Sequence, residues 1–202
     1  MSTMTLSRRR AVAVLAMGAL AACSSDPVPR DVFYRLGAPA TAPARAGGPI
    51  AGTLEVAPLR SAGIVNERAI LYREGATQLL QYSYHSWVEP PTAMLQRSLI
   101  EVLRTAQAFQ NVVSPDMRLD RDYEIRGELK QWEQVRATNT VAIDMEFTLR
   151  RVRDNQLLLL KSYRSDMPAA GEGIEAVTAA FTRGTDAIFA QMLADLAALP
   201  AK

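Results

Sequence analysis

Val141-Ala-Ile-Asp-Met-Glu-Phe-Thr-Leu-Arg150 decides the fold class. Val141, Ile143, Met145, Phe147 and Leu149 fall on one face, against Ala142, Asp144, Glu146, Thr148 and Arg150. Strict period 2 is the mark of a strand with one buried and one wet face, as antiparallel sheets have. Upstream, Tyr123, Ile125, Gly127 and Leu129 alternate with Glu124, Arg126, Glu128 and Lys130. Downstream, Arg153-Asp154-Asn155 reads as a tight turn into a third strand, Gln156 to Arg164. These three strands form an antiparallel meander. A helix should follow from Gly173 to Leu199, with Ile174, Val177, Phe181, Gly184, Ile188, Met192, Leu196 and Leu199 at helical spacing and Pro200 closing it.

The N-terminal half repeats these signals more weakly. Thr53 to Val56 reads as a strand that stops before Pro58. Ala69–Tyr72 and Thr77–Tyr84 read as a hairpin around Arg73-Glu74-Gly75-Ala76. Trp87-Val88-Glu89-Pro90-Pro91 ends that strand and opens a helix, because proline suits a first helical turn. Leu95, Leu99, Val102, Leu103 and Ala106 give that helix one apolar face, which should fade near Gln110-Asn111. The expected fold is α+β: a largely antiparallel sheet with two helices packed on one face, in a single domain of residues 50–202.

The first 22 residues read differently. Arg8, Arg9 and Arg10 precede the uncharged run Ala11–Ala22, which is too short to span a bilayer. That is the layout of a secretory signal. Its end, Leu20-Ala21-Ala22-Cys23, matches the lipobox of bacterial lipoproteins. A match implies cleavage before Cys23, a diacylglycerol on its sulfur and an acyl group on the new amino terminus. An ordinary signal with a chance cysteine nearby is the plainer alternative. Cys23 is the only cysteine, so it has no internal disulfide partner, and lipidation accounts for it. Two or three acyl chains anchor stably where one is marginal. Ser24, rather than an aspartate, follows it, which favours the outer membrane, periplasmic face. Ser7-Arg8-Arg9 is only a faint twin-arginine signal.

Cleavage changes the charge. Residues 1–22 hold three arginines and no acid, so the chain from Cys23 carries 20 basic and 21 acidic side chains, close to −1. No basic field remains to draw nucleic acid. Residues 23–49 read as a tether: Gly37 to Pro49 is almost wholly Gly, Ala, Pro and Thr, with Arg45 its only charge. Those thirteen residues would reach roughly 40 Å when extended. Within the tether, Phe33 to Leu36 is β-prone enough to dock as an edge strand.

Chemistry-bearing patterns are sparse. The single histidine, His85, has Ser83 and Ser86 beside it, but the spacing supplies neither an orienting acid nor an oxyanion hole. The sequence holds no His/Cys cluster for a metal, no cofactor motif, and no phosphate-binding glycine loop after a strand. Asp144 and Glu146 face the same way, and on an alternating strand such a pair belongs to the solvated face. Tyr82, Tyr84 and Trp87 lack the basic neighbours that RNA would need. What remains is binding. Tyr82, Tyr84, Trp87 and Trp132 are candidate contacts, though Tyr82 reads better as an inward residue of its strand. Exposed strand edges would suit a homo-oligomer.

From Phe33 to Leu103 the chain resembles the PqiC-like ABC-type transport auxiliary lipoproteins. The resemblance rests on Phe33-Tyr34-Arg35-Leu36, on the strand Leu54 to Pro58, and on Ile64-Val65-Asn66-Glu67-Arg68. Its most specific part is the turn Trp87-Val88-Glu89-Pro90 before Leu95, Leu99 and Leu103. Pro91 departs from the pattern, where leucine is usual. Such lipoproteins accompany an ATPase, a permease and a periplasm-spanning MCE protein that move phospholipid or other hydrophobic molecules between the two membranes. The resemblance implies an outer-membrane docking partner that hydrolyses nothing itself, with Tyr84, Trp87, Glu89 and Pro90 as candidate partner contacts. One alternative shares the anchor, an activator or assembly factor for cell-envelope enzymes; another is a soluble lipid carrier. The carrier would need a large apolar cavity, where the core pattern suggests a filled interior.

Overall fold

Strand β7 (Tyr123–Val135) is the spine of the molecule in a computed structural model that describes residues 29–40, 44–46 and 48–199. Along one side, β8 (Thr140–Arg151) pairs with it antiparallel over its whole length, and β9 (Gln156–Pro168) pairs antiparallel with β8. This is the expected meander. Val141, Ile143, Met145, Phe147 and Leu149 are all buried. A bulge interrupts β7: Leu129 opposes Met145, but Gln131 opposes Asp144, leaving Lys130 unpaired. The extra residue resets the alternation, so the inward series Ile125, Gly127, Leu129 continues as Trp132 and Gln134.

The other side of β7 is lined by β2 (Ile50–Val56), β3 (Arg60–Ser61) and β4 (Ala69–Glu74) in succession. Leu54 opposes Tyr123, Arg60 opposes Glu128 and Tyr72 opposes Gln134, all in parallel sense. One stretch of chain thus acts as a long strand broken by a 3-10 turn at Gly63–Asn66. Beyond it, β5 (Gln78–Trp87) forms the expected hairpin with β4, turning at Gly75. β6 (Phe109–Val113) pairs parallel with β2, and β1 (Val32–Tyr34) parallel with β5. The sheet is therefore mixed. Its antiparallel ladders are those of the expected hairpin and meander, and short parallel ladders attach the rest. β6 departs from the expectation: it lies where the sequence has the first helix fading, near Gln110-Asn111.

Two helices complete the α+β architecture. α1 (Pro91–Thr105) begins on Pro91 as expected and buries Leu95, Leu99, Val102 and Leu103. It stops early because Gln107 turns left-handed, at φ +48°, and sends the chain into β6. α2 (Ile174–Ala197) buries Val177, Phe181, Gly184, Ile188, Met192 and Leu196. At Gly184 α2 lies tight against the sheet: a Cβ there would lie 2.9 Å from Ile143 Cδ1. Both helices share one core cluster with the inner face of the sheet. Among the described residues no helix is long and apolar enough to cross a membrane.

The folded unit starts at Asp31, ahead of the expected Ile50. β1 docks on β5, and described residues between Leu36 and Ile50 bond to the helices, as set out below. Cys23 and the signal segment lie outside the described residues.

Candidate docking surface

The turn Trp87–Pro90 is a structural corner where β5 leaves the sheet and α1 begins. Trp87 is 0% exposed. Its ring packs edge-on to Phe181, with centroids 5.2 Å apart, and lies 5.8 Å from Trp132, which is itself 4.4 Å from Phe181. Trp87 and Trp132, both candidate interface aromatics by sequence, are therefore core residues in this fold. The reason is physical: an indole buries more apolar area than any other side chain, and the α2–sheet junction is where that area is removed from water. Pro90 is the residue before the first helical turn, and its carbonyl accepts from the amides of Ala93 and Met94. Val88 donates its amide to the Tyr34 carbonyl at 2.8 Å, so the corner also holds β1. Glu89 is partly exposed and pairs with Arg97 at 2.7 Å.

Tyr84 differs from these three. It is 45% exposed and left-handed, at φ +62°, a conformation that costs a non-glycine residue about 1–2 kcal/mol. It sits in a wide irregularity of the β4–β5 ladder, where Ala69 opposes Ser86 but Leu71 opposes Gln81. The neighbouring edge is apolar as well. Val32 and Phe33, the latter 54% exposed, lie on β1, with Val32 registered opposite His85. The Arg68 guanidinium stands 5.3 Å above the Phe33 ring. An exposed aromatic paired with local backbone strain is the kind of feature that functional surfaces retain. Tyr82, by contrast, is partly buried, packs on Tyr72 and donates its hydroxyl to Gln134.

His85 belongs to the same edge. Its Nδ1 lies 3.1 Å from the Tyr34 hydroxyl, which donates to Glu175 Oε1 at 3.2 Å. Burial, then the Glu175 carboxylate, raise the Tyr34 phenol above its ordinary value. Sequence-neighbouring Ser83 and Ser86 do not enter this chain of bonds, which joins β1 to the first turn of α2. The carboxylates of β8 part from the expected solvated face at Asp144, which is buried and meets Arg164 at 2.7 Å, while the partly exposed Glu146 meets Lys130 at 2.7 Å.

Sequence reading missed the strap formed by the described residues after Leu36. Gly37 donates its amide to Thr182 Oγ1 at 3.0 Å, and Ala40 to Asp186 Oδ1 at 3.1 Å. Arg45 ties down both helix ends. Its amide donates to Ala106 O at the end of α1, and its Nη2 to Leu199 O beyond α2. Cations suit helix C-termini, where carbonyls lack partners. The only charge in a Gly/Ala/Pro stretch was the available signal for this. At the far edge of the sheet, β9 exposes Leu157 and Leu160.

The family model for the ABC-type transport auxiliary lipoprotein component matches residues 34–193. No curated protein matches the chain. A Xanthomonas campestris protein of known structure shares the fold: TM-score 0.73 at 19% identity, covering 80% of this chain and 92% of that one. An uncharacterized protein matches at TM-score 0.63 and 15% identity, covering 84% and 97%. PelC of Paraburkholderia phytofirmans, solved as a dodecamer, is more distant, at TM-score 0.48 and 12% identity over 78% and 93%. The family match spans most of the chain, from β1 to the last turns of α2, and takes in the Trp87–Pro90 corner: the chain belongs to the ABC-type transport auxiliary lipoproteins.

Proposed function

We propose that this chain is the outer-membrane lipoprotein of an MCE-type ABC transport system, a docking module for machinery that moves phospholipid or other hydrophobic molecules between the inner and outer membranes. The observation that carries the reading is the family match over residues 34–193 in a chain whose Leu20–Cys23 forms a lipobox. Acylated Cys23 would hold the domain on the periplasmic face of the outer membrane. The chain would act by binding alone and hydrolyse nothing. The strained, exposed Tyr84 and the apolar β1 edge support a contact surface there, with Glu89 at its margin. The outer edge of β9, with Leu157 and Leu160, is where a second copy would add if the module works as a homo-oligomer.

Pull-down with the intact, acylated lipoprotein tests this reading. Recovery of an MCE-domain protein, from outer-membrane fractions of a density gradient, is the expected result. Recovery of a peptidoglycan synthase would instead support the envelope-activator alternative, and an inner-membrane location would overturn the placement.

A further inference from the structure

The chain enters its fold soon after its anchoring cysteine. β1 begins at Val32, and only residues 24–31 separate it from Cys23. Fully extended, that stretch reaches about 30 Å. A fold beginning at Ile50 would have left roughly 90 Å. The difference decides where β1 can lie. A globular domain the length of Asp31–Lys202 is about 40 Å across. With Cys23 acylated, a strand on the side away from the lipid is therefore out of reach.

The side chains at this edge suit a lipid interface. Val32 and Phe33 on β1 and Tyr84 on β5 are all exposed, and the register sets Val32 opposite His85, next to Tyr84. β1 ends the sheet, with no strand beyond it among the described residues. Aromatic rings collect at headgroup level, where an apolar body and a polar tip are both satisfied. The exposed Arg68 guanidinium, 5.3 Å from the Phe33 ring, and the exposed Arg35 just after β1 can donate to lipid phosphate. Asp31 and Glu67, exposed as well, offset that charge. Attraction to anionic lipid is thus a minor part of the contact, and removal of apolar side chains from water is the larger one.

We propose that, with no partner bound, this edge seats Val32, Phe33 and Tyr84 in the headgroup layer of the membrane that holds Cys23. The seat rests on the acyl anchor of the proposed function and adds a regulation to its docking surface. A protein that binds at Tyr84 has to lift the edge off the lipid. The partner is then met at the membrane surface, and the aromatic edge is shielded until it arrives.

The test uses the full acylated lipoprotein in phosphatidylethanolamine vesicles doped with a lipid that carries a nitroxide on its headgroup. Acylation blocks the only native thiol, so a bimane on Ser83→Cys, exposed beside Tyr84, reports this edge alone. Arg153→Cys, in the β8–β9 turn, is the comparison site. β8 carries that turn about 40 Å from its Thr140 end, which lies beside the start of α2. Quenching several-fold stronger at 83 than at 153 is expected, and added salt should leave it unchanged. Phe33→Asp should cut the quenching at 83 several-fold, with the melting temperature and the exchange rate of the Val88 amide unchanged. Phe33→Trp should keep it. An insertion of about twenty Gly/Ser residues after Pro29 separates seating from mere nearness, and a seated edge should stay quenched. Equal quenching at the two sites, or quenching that ignores Phe33→Asp and vanishes with the insertion, overturns the proposal. The vesicles hold no transport protein, so a negative result leaves the pull-down standing. Failure of the protein to float with the vesicles would instead remove the anchor, and this seat with it.

Discussion

Trp87 presents no atom to solvent, so replacing it acts on stability before it acts on any partner. Truncation to alanine would open a hole beside Trp132 and Phe181, and Trp87→Ala should cost about 3–5 kcal/mol in chemical denaturation. A cost below about 1 kcal/mol would mean the ring is not packed as described. Tyr84 makes the opposite case. Its left-handed backbone favours glycine, so Tyr84→Gly should leave the fold as stable as before or up to about 1 kcal/mol more so. If the ring is a contact, partner recovery should still fall. A variant that keeps stability and loses binding separates surface from scaffold. A variant that loses stability would show that the ring packs inward. Sequence alone could not assign these roles. Both residues are large aromatics near the end of one strand, and burial at a strand end depends on what α2 places over it.

At the scale of elements, legibility followed locality. The alternation of Val141–Leu149 and the helical spacing of Ile174–Leu196 are written in consecutive residues, and both emerged as expected. Strand direction is not written that way. Leu54 pairs with Tyr123 across a long separation, and alternation says which face a residue takes, never which way its neighbour runs. β6 escaped notice because Phe109-Gln-Asn-Val-Val has no clean alternation and directly follows a helix. The strap escaped because its bonds come from backbone amides to Thr182 and Asp186, acceptors that only the fold supplies. β1 is held by few groups, so its stability should be local. Tyr34→Phe removes the hydroxyl that touches His85 and Glu175, at a cost of about 0.5–1.5 kcal/mol. Hydrogen exchange should quicken at the Val88 amide, which bonds to Tyr34 O, and stay unchanged along β8. Equal acceleration in both strands would show that β1 unfolds only with the whole domain.

For the whole molecule, the docked strap revises the reach of the anchor. Residues 37–49 would span roughly 40 Å if free, but their described members bond along both helices, so that reach is not available for standing off the membrane. Deleting residues 37–46 should therefore lower the melting temperature as well as any transport activity, since it removes the Arg45 clamp from both helix ends. A deletion that leaves the melting temperature intact would restore the free-tether reading. Under the proposed function, an acylated domain meets an MCE protein through the edge around Tyr84. Photo-crosslinking from a benzoylphenylalanine at position 84, in intact cells, tests it most directly. One crosslinked product with an MCE-domain protein is expected, lost when Cys23→Ser releases the chain from the membrane. A crosslink to a cell-envelope synthase, or one to the MCE protein that persists without the anchor, would contradict it.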